Sequence, residues 1–409
     1  MNRNVTKVLV AAAAAALVIP FAAGCMSSDD EGHRAGDPGS LLEGPKPPEV
    51  EAQQLAATPK GKQLPLRAGE ERMTLTMPET YTPSAPYGSG TDDYRCFILD
   101  PGLDEDVWLT GSNVLPGNPQ VVHHVILFKV SADSADEAAE KDAESPDPGW
   151  TCFGGTGLSG EFSNLEDANW LAAWAPGGDE TKVKDGYGVE FEAGSRIVMQ
   201  VHYNLLKGAA PDESSAQLRW MSGDTDLTPL HTFLMPAPVE LPCRADNDES
   251  PLCDPYFAEA DVKTRFGEGV GNTNSLLHLL CGTDKVASET STCTRKISRG
   301  MTVLGVAGHM HLLGRKITIE TNPDTDHAKT VLRIPIWNFD DQGAKPIEPV
   351  HLDAGDTVRI TCQHQQWLRD QLPAFETQRE DRYVIWAEGS TDEMCLGLLQ
   401  VAFDDESDD

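Results

Sequence analysis

The stretch that decides the fold is Val-Val-His-His-Val-Ile-Leu-Phe-Lys-Val, at residues 121–130. It is apolar, rich in β-branched side chains and preceded by the turn signal Pro-Gly-Asn, so it predicts a buried β-strand. Comparable strand-like runs occur at residues 196–203, 301–319, 357–362 and 395–403. Because short strands without alternating helices are typical of sheet-on-sheet folds, the chain is predicted to be all-β and to form β-sandwiches.

Length and charge limit the possible functions. A chain of 409 residues is too long for one small domain and suggests two or three compact units with tails. Its 32 Lys and Arg residues are outnumbered by 65 Asp and Glu residues, which gives a formal charge of -33. A surface this acidic argues against nucleic acid as a main partner and weakens docking to anionic lipid.

One helix and one boundary are predicted within the body of the chain. Residues 133–145 are rich in Ala and Glu, which favours a short helix. A polar stretch flanked by cysteines, from about residue 240 to residue 295, separates two β-rich halves. We therefore expect a domain boundary near residues 235–245.

The first 25 residues are predicted to be an export signal rather than part of the fold. Arg3 and Lys7 give a positive start, and residues 8–23 are apolar and uncharged. The run ends in small residues before Cys25, which resembles a bacterial lipobox in which this cysteine is lipidated. We expect an exported protein of the bacterial cell envelope that is anchored to a membrane by lipid. The alternative is an ordinary cleaved signal followed by a chance cysteine.

The remaining cysteines agree with export. The nine cysteines less Cys25 leave an even number, which predicts up to four disulfides in an oxidising compartment. They are Cys96, Cys152, Cys243, Cys253, Cys281, Cys293, Cys362 and Cys395. Eight cysteines allow 105 pairings, and short loops favour Cys243–Cys253 and Cys281–Cys293. The absence of a C-x-x-C pair argues against a cysteine-rich zinc site and against thioredoxin-like chemistry.

Five of the eleven histidines lie in strand-like segments and are candidate metal ligands: His123, His124, His202, His309 and His311. His309 and His311 are two residues apart, so on a strand their imidazoles point to one face and can share an ion. His123 and His124 are neighbours and would point to opposite faces of a regular strand. They can bind one ion only if the strand ends or bulges there, or if different ring nitrogens turn inward. The alternative is that each is a buried structural histidine.

The ligand types narrow the choice of metal. Thiolates are excluded if the cysteines are paired, and carboxylates do not closely flank the histidine motifs, so the imidazoles suit zinc or copper. Met394 opens a predicted strand within Thr-Asp-Glu-Met-Cys at residues 391–395. If its thioether joins His309 and His311, copper is favoured, Cu(I) in particular. The alternative is that Met394 fills the core.

Together these motifs resemble the copper type II, ascorbate-dependent monooxygenases, the family of peptidylglycine α-hydroxylating monooxygenase and dopamine β-monooxygenase. The similarity covers most of residues 72–404, and the motifs occur in the family's order. They are the His-His pair at residues 123–124, Gln-Val-His-Tyr at 200–203, Gly-His-Met-His at 308–311 with Leu-Gly-Arg at 313–315, and Asp-Glu-Met-Cys at 392–395.

The resemblance implies two tandem antiparallel β-sandwiches of jelly-roll type, with two copper ions facing each other across an interdomain cleft. The first copper would relay electrons from ascorbate or a similar reductant, and its ligands would be His123, His124 and His202. The catalytic copper would bind O2 and hydroxylate an aliphatic C–H bond of a small organic substrate. Its ligands would be His309, His311 and Met394.

The resemblance also assigns supporting residues. Gln200 shares a predicted strand face with His202 and is expected to support that ligand from behind; the alternative is a solvent-facing amide. A Cys362–Cys395 disulfide would hold the strand of Met394, and Cys96–Cys152 is the expected bond in the first domain.

On this basis the chain divides into five segments. Residues 1–25 are the lipoprotein signal peptide, and residues 26–71 are a flexible linker. Residues 72–238 are the first copper domain, residues 239–404 the second, and residues 405–409 an acidic tail.

The sequence departs from the peptidylglycine enzymes where those enzymes hold the substrate carboxylate. They have an Arg two residues before the His-x-His motif, and an Asn and a Tyr two and four residues after the Met. Here the corresponding residues are Ala307, Leu396 and Leu398. Because an apolar wall offers no charge-assisted hydrogen bonds, we expect a neutral or cationic, partly apolar substrate rather than a peptide with a C-terminal glycine.

Other functions remain open at this point. The main alternative is a copper-binding envelope lipoprotein without turnover. A structural surface protein with merely buried histidines is a second. A zinc hydrolase is a third, although no glutamate stands in an H-E-x-x-H setting.

Overall fold

Two β-rich halves follow one another along the chain. The computed structural model describes residues 63–86, 91–159, 164–176 and 178–404, which belong to one compact unit. The predicted signal peptide with Cys25, the predicted linker up to residue 62 and the acidic tail lie outside the described residues. We call the parts before and after Leu230 the N-terminal and the C-terminal half.

The N-terminal half is a sandwich of two sheets. Its strands are β1 Glu71–Thr76, β2 Asp92–Leu99, β3 Val107–Leu115, β4 Val122–Val130, β5 Trp150–Thr151, β6 Trp170–Trp174, β7 Thr181–Lys182, β8 Tyr187–Phe191, β9 Arg196–Asn204, β10 Ser215–Ser222 and β11 Thr228–Pro229. One sheet has the order β5-β2-β9-β4-β6, and the other has the order β1-β10-β3-β8-β11 with β7 beside β3. Leu127 and Met199 of the first sheet share a core with Leu109 and Leu218 of the second.

The C-terminal half repeats this arrangement. Its strands are β12 His231–Pro236, β13 Glu240–Leu241, β14 Thr290–Lys296, β15 Met301–His309, β16 Gly314–Thr321, β17 Lys329–Ile334, β18 Lys345–Leu352, β19 Thr357–His364, β20 Val384–Ile385 and β21 Leu396–Phe403. Four-stranded sheets of order β12-β21-β15-β18 and β14-β19-β16-β17 enclose a core that includes Val306, Leu399, Ile319 and Ile360. The predicted all-β sandwich fold is confirmed.

The described residues contain few helices. They are α1 Ala135–Glu144, α2 Pro255–Cys281 and α3 Leu368–Gln371, with 3-10 turns at Ala132–Ser134, Pro251–Cys253 and Pro373–Phe375. Helix α1 lies within the predicted helix at residues 133–145. Helix α2 was not predicted. The sequence indicated only a polar stretch there, separating two β-rich halves.

Standard capping residues mark both ends of helix α2, but its interior does not have a continuous helical sequence pattern. Asp254 caps the first turn by accepting from the amide of Tyr256, Pro255 occupies the first position, and Gly282 ends the helix in the left-handed conformation. Gly267 interrupts the helix with φ 88° and ψ 167°, a backbone conformation essentially restricted to glycine. The sequence therefore lacks one continuous helical pattern.

Both predicted boundaries of the first domain differ from what the described residues show. Strand β12 starts at His231 but pairs with β21, so the change of sheet falls earlier than residue 238. Within the predicted linker, Glu70 is buried and accepts hydrogen bonds from Arg67 and from the buried Arg219, so the folded part begins before residue 72. The charge pairs of Glu70 with Arg67 and Arg219 thus attach this segment to the folded part, although its polar composition suggested a flexible linker. The division into two domains itself stays a prediction.

Four disulfides join the pairs that were expected: Cys96–Cys152, Cys243–Cys253, Cys281–Cys293 and Cys362–Cys395. No helix among the described residues is long and apolar enough to cross a membrane.

Candidate metal centre

A β-bulge lets two neighbouring histidines serve one site. In the pairing of β4 with β9, Val122 is opposite Tyr203 and His124 is opposite His202, so the register shifts and His123 is the extra residue. A bulge re-aims side chains that a regular strand would send to opposite faces. His123 and His124 could bind one ion only if the strand ended or bulged there, and this bulge meets that requirement.

The Nδ1 atoms of the three N-terminal histidines converge. Nδ1 of His124 lies 3.3 Å from Nδ1 of His123 and 3.1 Å from Nδ1 of His202. Possible ligand atoms of all three lie within 4.8 Å of one another, which is close enough to hold a metal ion. We call His123, His124 and His202 the three-histidine set.

Asp92 and Tyr94 orient His202. The Nε2 atom of His202 lies 2.8 Å from Oδ1 of Asp92, and the Tyr94 ring stacks on the imidazole at 4.1 Å with a 9° interplanar angle. Burial alone would raise the pKa of Asp92, but hydrogen bonds from His202 and Ser390 outweigh it and lower that pKa to about 2. A carboxylate on Nε2 leaves the lone pair of Nδ1 free to bind a metal.

The second set of ligands lies where β15 ends. His309 is its last residue, His311 follows in the turn, and their ring centroids are 5.1 Å apart at 90°. The Nδ1 atom of His309 lies 2.6 Å from Oε1 of Gln342, which leaves Nε2 as the free nitrogen. Both ring nitrogens of His311 are buried without a hydrogen-bond partner among the described residues. Because buried polar atoms are nearly always paired, the lone pair on one of these nitrogens is available to a ligand such as a metal ion.

The backbone brings Met394 to this set. His309 pairs with Leu396 on the antiparallel strand β21. His311 lies two residues after His309, and Met394 lies two residues before Leu396, so both leave the sheet at the same end of the two strands. The buried carboxylate of Glu393 accepts the main-chain amides of both His311 and Met394, at 3.1 and 3.2 Å. Met394 itself is 7% exposed. We call His309, His311 and Met394 the His-His-Met set.

The two sets are in contact instead of facing each other across an open cleft. The ring centroids of His124 and His309 are 5.8 Å apart. Phe339, in the loop between β17 and β18, stacks on His123 at 4.1 Å and lies 6.3 Å from the ring of His311. The same loop supplies Gln342. An aromatic ring and an amide from one loop thus contact both sets.

The protonation states suit metal binding. Burial lowers the pKa values of His123, His124 and His311 well below the ordinary histidine value. Burial also lowers the pKa of His309 to about 4, against the opposing effect of Gln342. These imidazoles are therefore neutral at pH 7, which is the form that binds metals. Neutral imidazoles, with a methionine whose backbone lies at the neighbouring strand end, fit copper.

Gln200 does not have the expected partner. Its side chain is buried and donates to the carbonyl of Gly155 at 2.7 Å, beside the Cys96–Cys152 disulfide. The residue that supports His202 from behind is Asp92. Sequence reasoning missed it because 110 positions separate the two residues.

The apolar residues that stand where the peptidylglycine enzymes bind the substrate carboxylate lie close together. Ala307 pairs with Leu398, and His309 pairs with Leu396, on the adjoining strands β15 and β21. Leu396 is 7% exposed. The three residues therefore line up beside the His-His-Met set.

Comparisons with known proteins do not add to this site. No protein-family model and no curated protein matches the chain. Solved structures of marginal likeness include an allantoicase (9% identity, TM-score 0.17, covering 67% of this chain and 76% of that chain). A fucolectin from the serum of striped bass, Morone saxatilis, has 8% identity and a TM-score of 0.18, with 77% and 85% covered. The major capsid protein P2 of bacteriophage PM2 has 9% identity and a TM-score of 0.25, with 82% and 99% covered. At these scores the likenesses carry no argument about function.

Proposed function

We propose that this protein is a copper-dependent monooxygenase that hydroxylates an aliphatic C–H bond of a small organic substrate, using O2 and a one-electron reductant such as ascorbate. The observation that carries the proposal is the His-His-Met set. Its His311 has two buried ring nitrogens with no hydrogen-bond partner in the part of the chain that the structure describes, and Glu393 accepts the amides of both His311 and Met394. The resemblance of the motifs to copper type II monooxygenases supports the same conclusion.

Copper held by imidazoles and a thioether would supply one-electron chemistry and O2 activation. The described side chains prepare the site for it. Asp92 fixes the tautomer and the ring plane of His202, and Gln342 does the same for His309. Phe339 covers His123 and keeps water from that face of the imidazole. The apolar Ala307, Leu396 and Leu398 favour a neutral or cationic, partly apolar substrate.

The proposed location rests on the sequence motif at Cys25 and on the disulfides. Four disulfides suit an oxidising, exported environment. Together with the predicted lipobox at Cys25, they support a protein held at the cell envelope by lipid.

The test is copper loading followed by ascorbate-driven O2 uptake, screened across phenethylamines, acyl-glycines and other small C–H donors. We expect two copper ions per chain, and product from an amine or an apolar substrate rather than from an acyl-glycine. Met394→Ile should abolish hydroxylation and leave the three-histidine copper bound. Two bound ions without substrate-coupled O2 uptake would instead support a copper-binding lipoprotein without turnover. Fewer than two ions would contradict both functions.

A further inference from the structure

A partly buried hydrogen bond joins the two halves directly behind the proposed metal ligand His202. The hydroxyl of Ser390, in the segment that leads to Met394, donates to Oδ1 of Asp92 at 2.5 Å. The same oxygen lies 2.8 Å from Nε2 of His202. Ser390 is 1% exposed, and the side chain of Asp92 is 9% exposed. The Asp92 carboxylate thus holds a ligand of one set and a residue of the opposite half at once.

The connection continues into the other set. The main-chain carbonyl of Ser390 accepts the amide of Leu312 at 3.3 Å. Leu312 directly follows His311 in the sequence. An unbroken series of hydrogen bonds therefore runs from the imidazole of His202 through Asp92 and Ser390 to the turn that carries His311.

Two other contacts between the halves lack this feature. The Tyr94 hydroxyl donates to the carbonyl of Glu388 at 2.8 Å, and the rings of Phe153 and Phe266 meet edge to face at 5.1 Å. Both contacts hold the halves together, but neither hydrogen-bonds a polar atom of a metal ligand. The Ser390 hydroxyl is linked through one carboxylate oxygen to the nitrogen that sets the His202 tautomer. A hydrogen bond to a buried carboxylate is also stronger and more directional than one to a carbonyl.

We propose that Ser390 is a positioning residue, which through Asp92 fixes the three-histidine set relative to the His-His-Met set. This inference rests on the proposed function, because it assumes that both sets hold copper. The Ser390 hydroxyl thereby sets the mean distance between the two ions and limits how much that distance varies. Each set can bind an ion alone, but their spacing depends on this hydrogen bond.

The test uses the full chain loaded with Cu(II) and electron paramagnetic resonance, in which two nearby Cu(II) ions broaden each other's signal and give a half-field transition. We expect this dipolar signal in the wild type. Its intensity should fall at least two-fold in Ser390→Ala. It should return in Ser390→Thr, which keeps the hydroxyl. Ser298→Ala is the matched control, because it removes another hydroxyl-to-carboxylate hydrogen bond between the halves, from Ser298 to Glu166, which contacts neither histidine set. It should keep the signal.

A metal-free measurement supplements this experiment. Amide hydrogen exchange at residues 309–313 should speed up in Ser390→Ala and stay unchanged in Ser298→Ala, whether or not copper loads. A chain that binds fewer than two ions contradicts the proposed function. A chain that binds two ions overturns the inference if the wild type shows no dipolar signal. It also does so if Ser390→Ala matches the wild type in both measurements.

Discussion

Glu393 accepts the main-chain amide of His311 at 3.1 Å, across 82 positions of sequence. The other oxygen of the same carboxylate accepts the amide of Leu313 at 2.6 Å, and the side chain also takes the amide of Met394. His364 Nδ1 lies 3.1 Å from the carboxylate as well. One fully buried carboxylate therefore determines both the path of the turn after β15 and the start of the strand that follows Met394.

Replacing this carboxylate should remove one metal ion and spare the other. In Glu393→Ala, three buried amides lose their acceptor, at a cost of about 1–3 kcal/mol for each unsatisfied group. We expect copper bound per chain to fall from two to one. Glu393→Gln keeps an acceptor oxygen and should retain more of the second ion. Metal analysis after dialysis gives the stoichiometry, and two firmly held ions in Glu393→Ala would contradict this role.

Gln342 should tune the affinity of the His-His-Met set. Its Oε1 atom is 2.6 Å from Nδ1 of His309, and losing such a partner behind a metal ligand typically costs about 10- to 100-fold in metal affinity. Gln342→Ala should weaken copper binding at this set by that factor, as measured by competition with a chelator. Gln342→Glu keeps the acceptor and is the control. Equal affinities in the two variants would show that His309 needs no partner.

The Cys362–Cys395 bond should matter for stability and for the metal. It encloses 33 positions, and chain-entropy arguments give such a cross-link about 4 kcal/mol, less any native-state strain. Cys362→Ser with Cys395→Ser should lower the free energy of unfolding by up to that amount and loosen copper at Met394. The comparison is Cys243→Ser with Cys253→Ser, which opens a loop of 10 positions and should leave copper bound. Urea unfolding with metal analysis distinguishes the two bonds.

Glu388 should make the fold less stable in alkali. Burial raises the pKa of this carboxyl to about 8, with the amide of Gly154 opposing and Asp392 adding to the shift. The folded protein therefore holds this proton more tightly than the unfolded chain does. The contribution is complete below the ordinary glutamate pKa and is lost as the pH rises through about 8.

Glu388→Gln removes this titration and keeps an acceptor for Gly154. Thermal unfolding from pH 6 to pH 9 should show a falling midpoint in the wild type and a flatter profile in the variant. The variant should be the more stable of the two at pH 9. Parallel profiles would show that Glu388 does not hold a proton in the folded state.

The strands and the clustering of the candidate histidines could be predicted because their signals are local. The apolar run at residues 121–130 became β4 apart from its first residue, and the His-x-His spacing predicted a shared site at His309 and His311. The sequence also stated the condition under which His123 and His124 could cooperate, although it could not show that a bulge meets it.

The supporting residues could not be predicted because their contacts are distant in sequence. Asp92 meets His202 only after β2 pairs with β9, and nothing in Asp-Asp-Tyr-Arg marks one aspartate over its neighbour. Gln342 and Phe339 lie in a loop whose residues resemble ordinary turn formers. Their functions depend on how the loop crosses to the other half, which no spacing rule reports.

The 5.8 Å between the His124 and His309 rings leaves no room for a layer of bulk water between them. Two cations taken up on either side of this gap would repel each other through a medium of low dielectric, where charges interact far more strongly than in solvent. Filling one set should therefore raise the dissociation constant of the other. The protein would then load its ions in two separate steps, and with about one ion supplied per chain most molecules would carry a single ion.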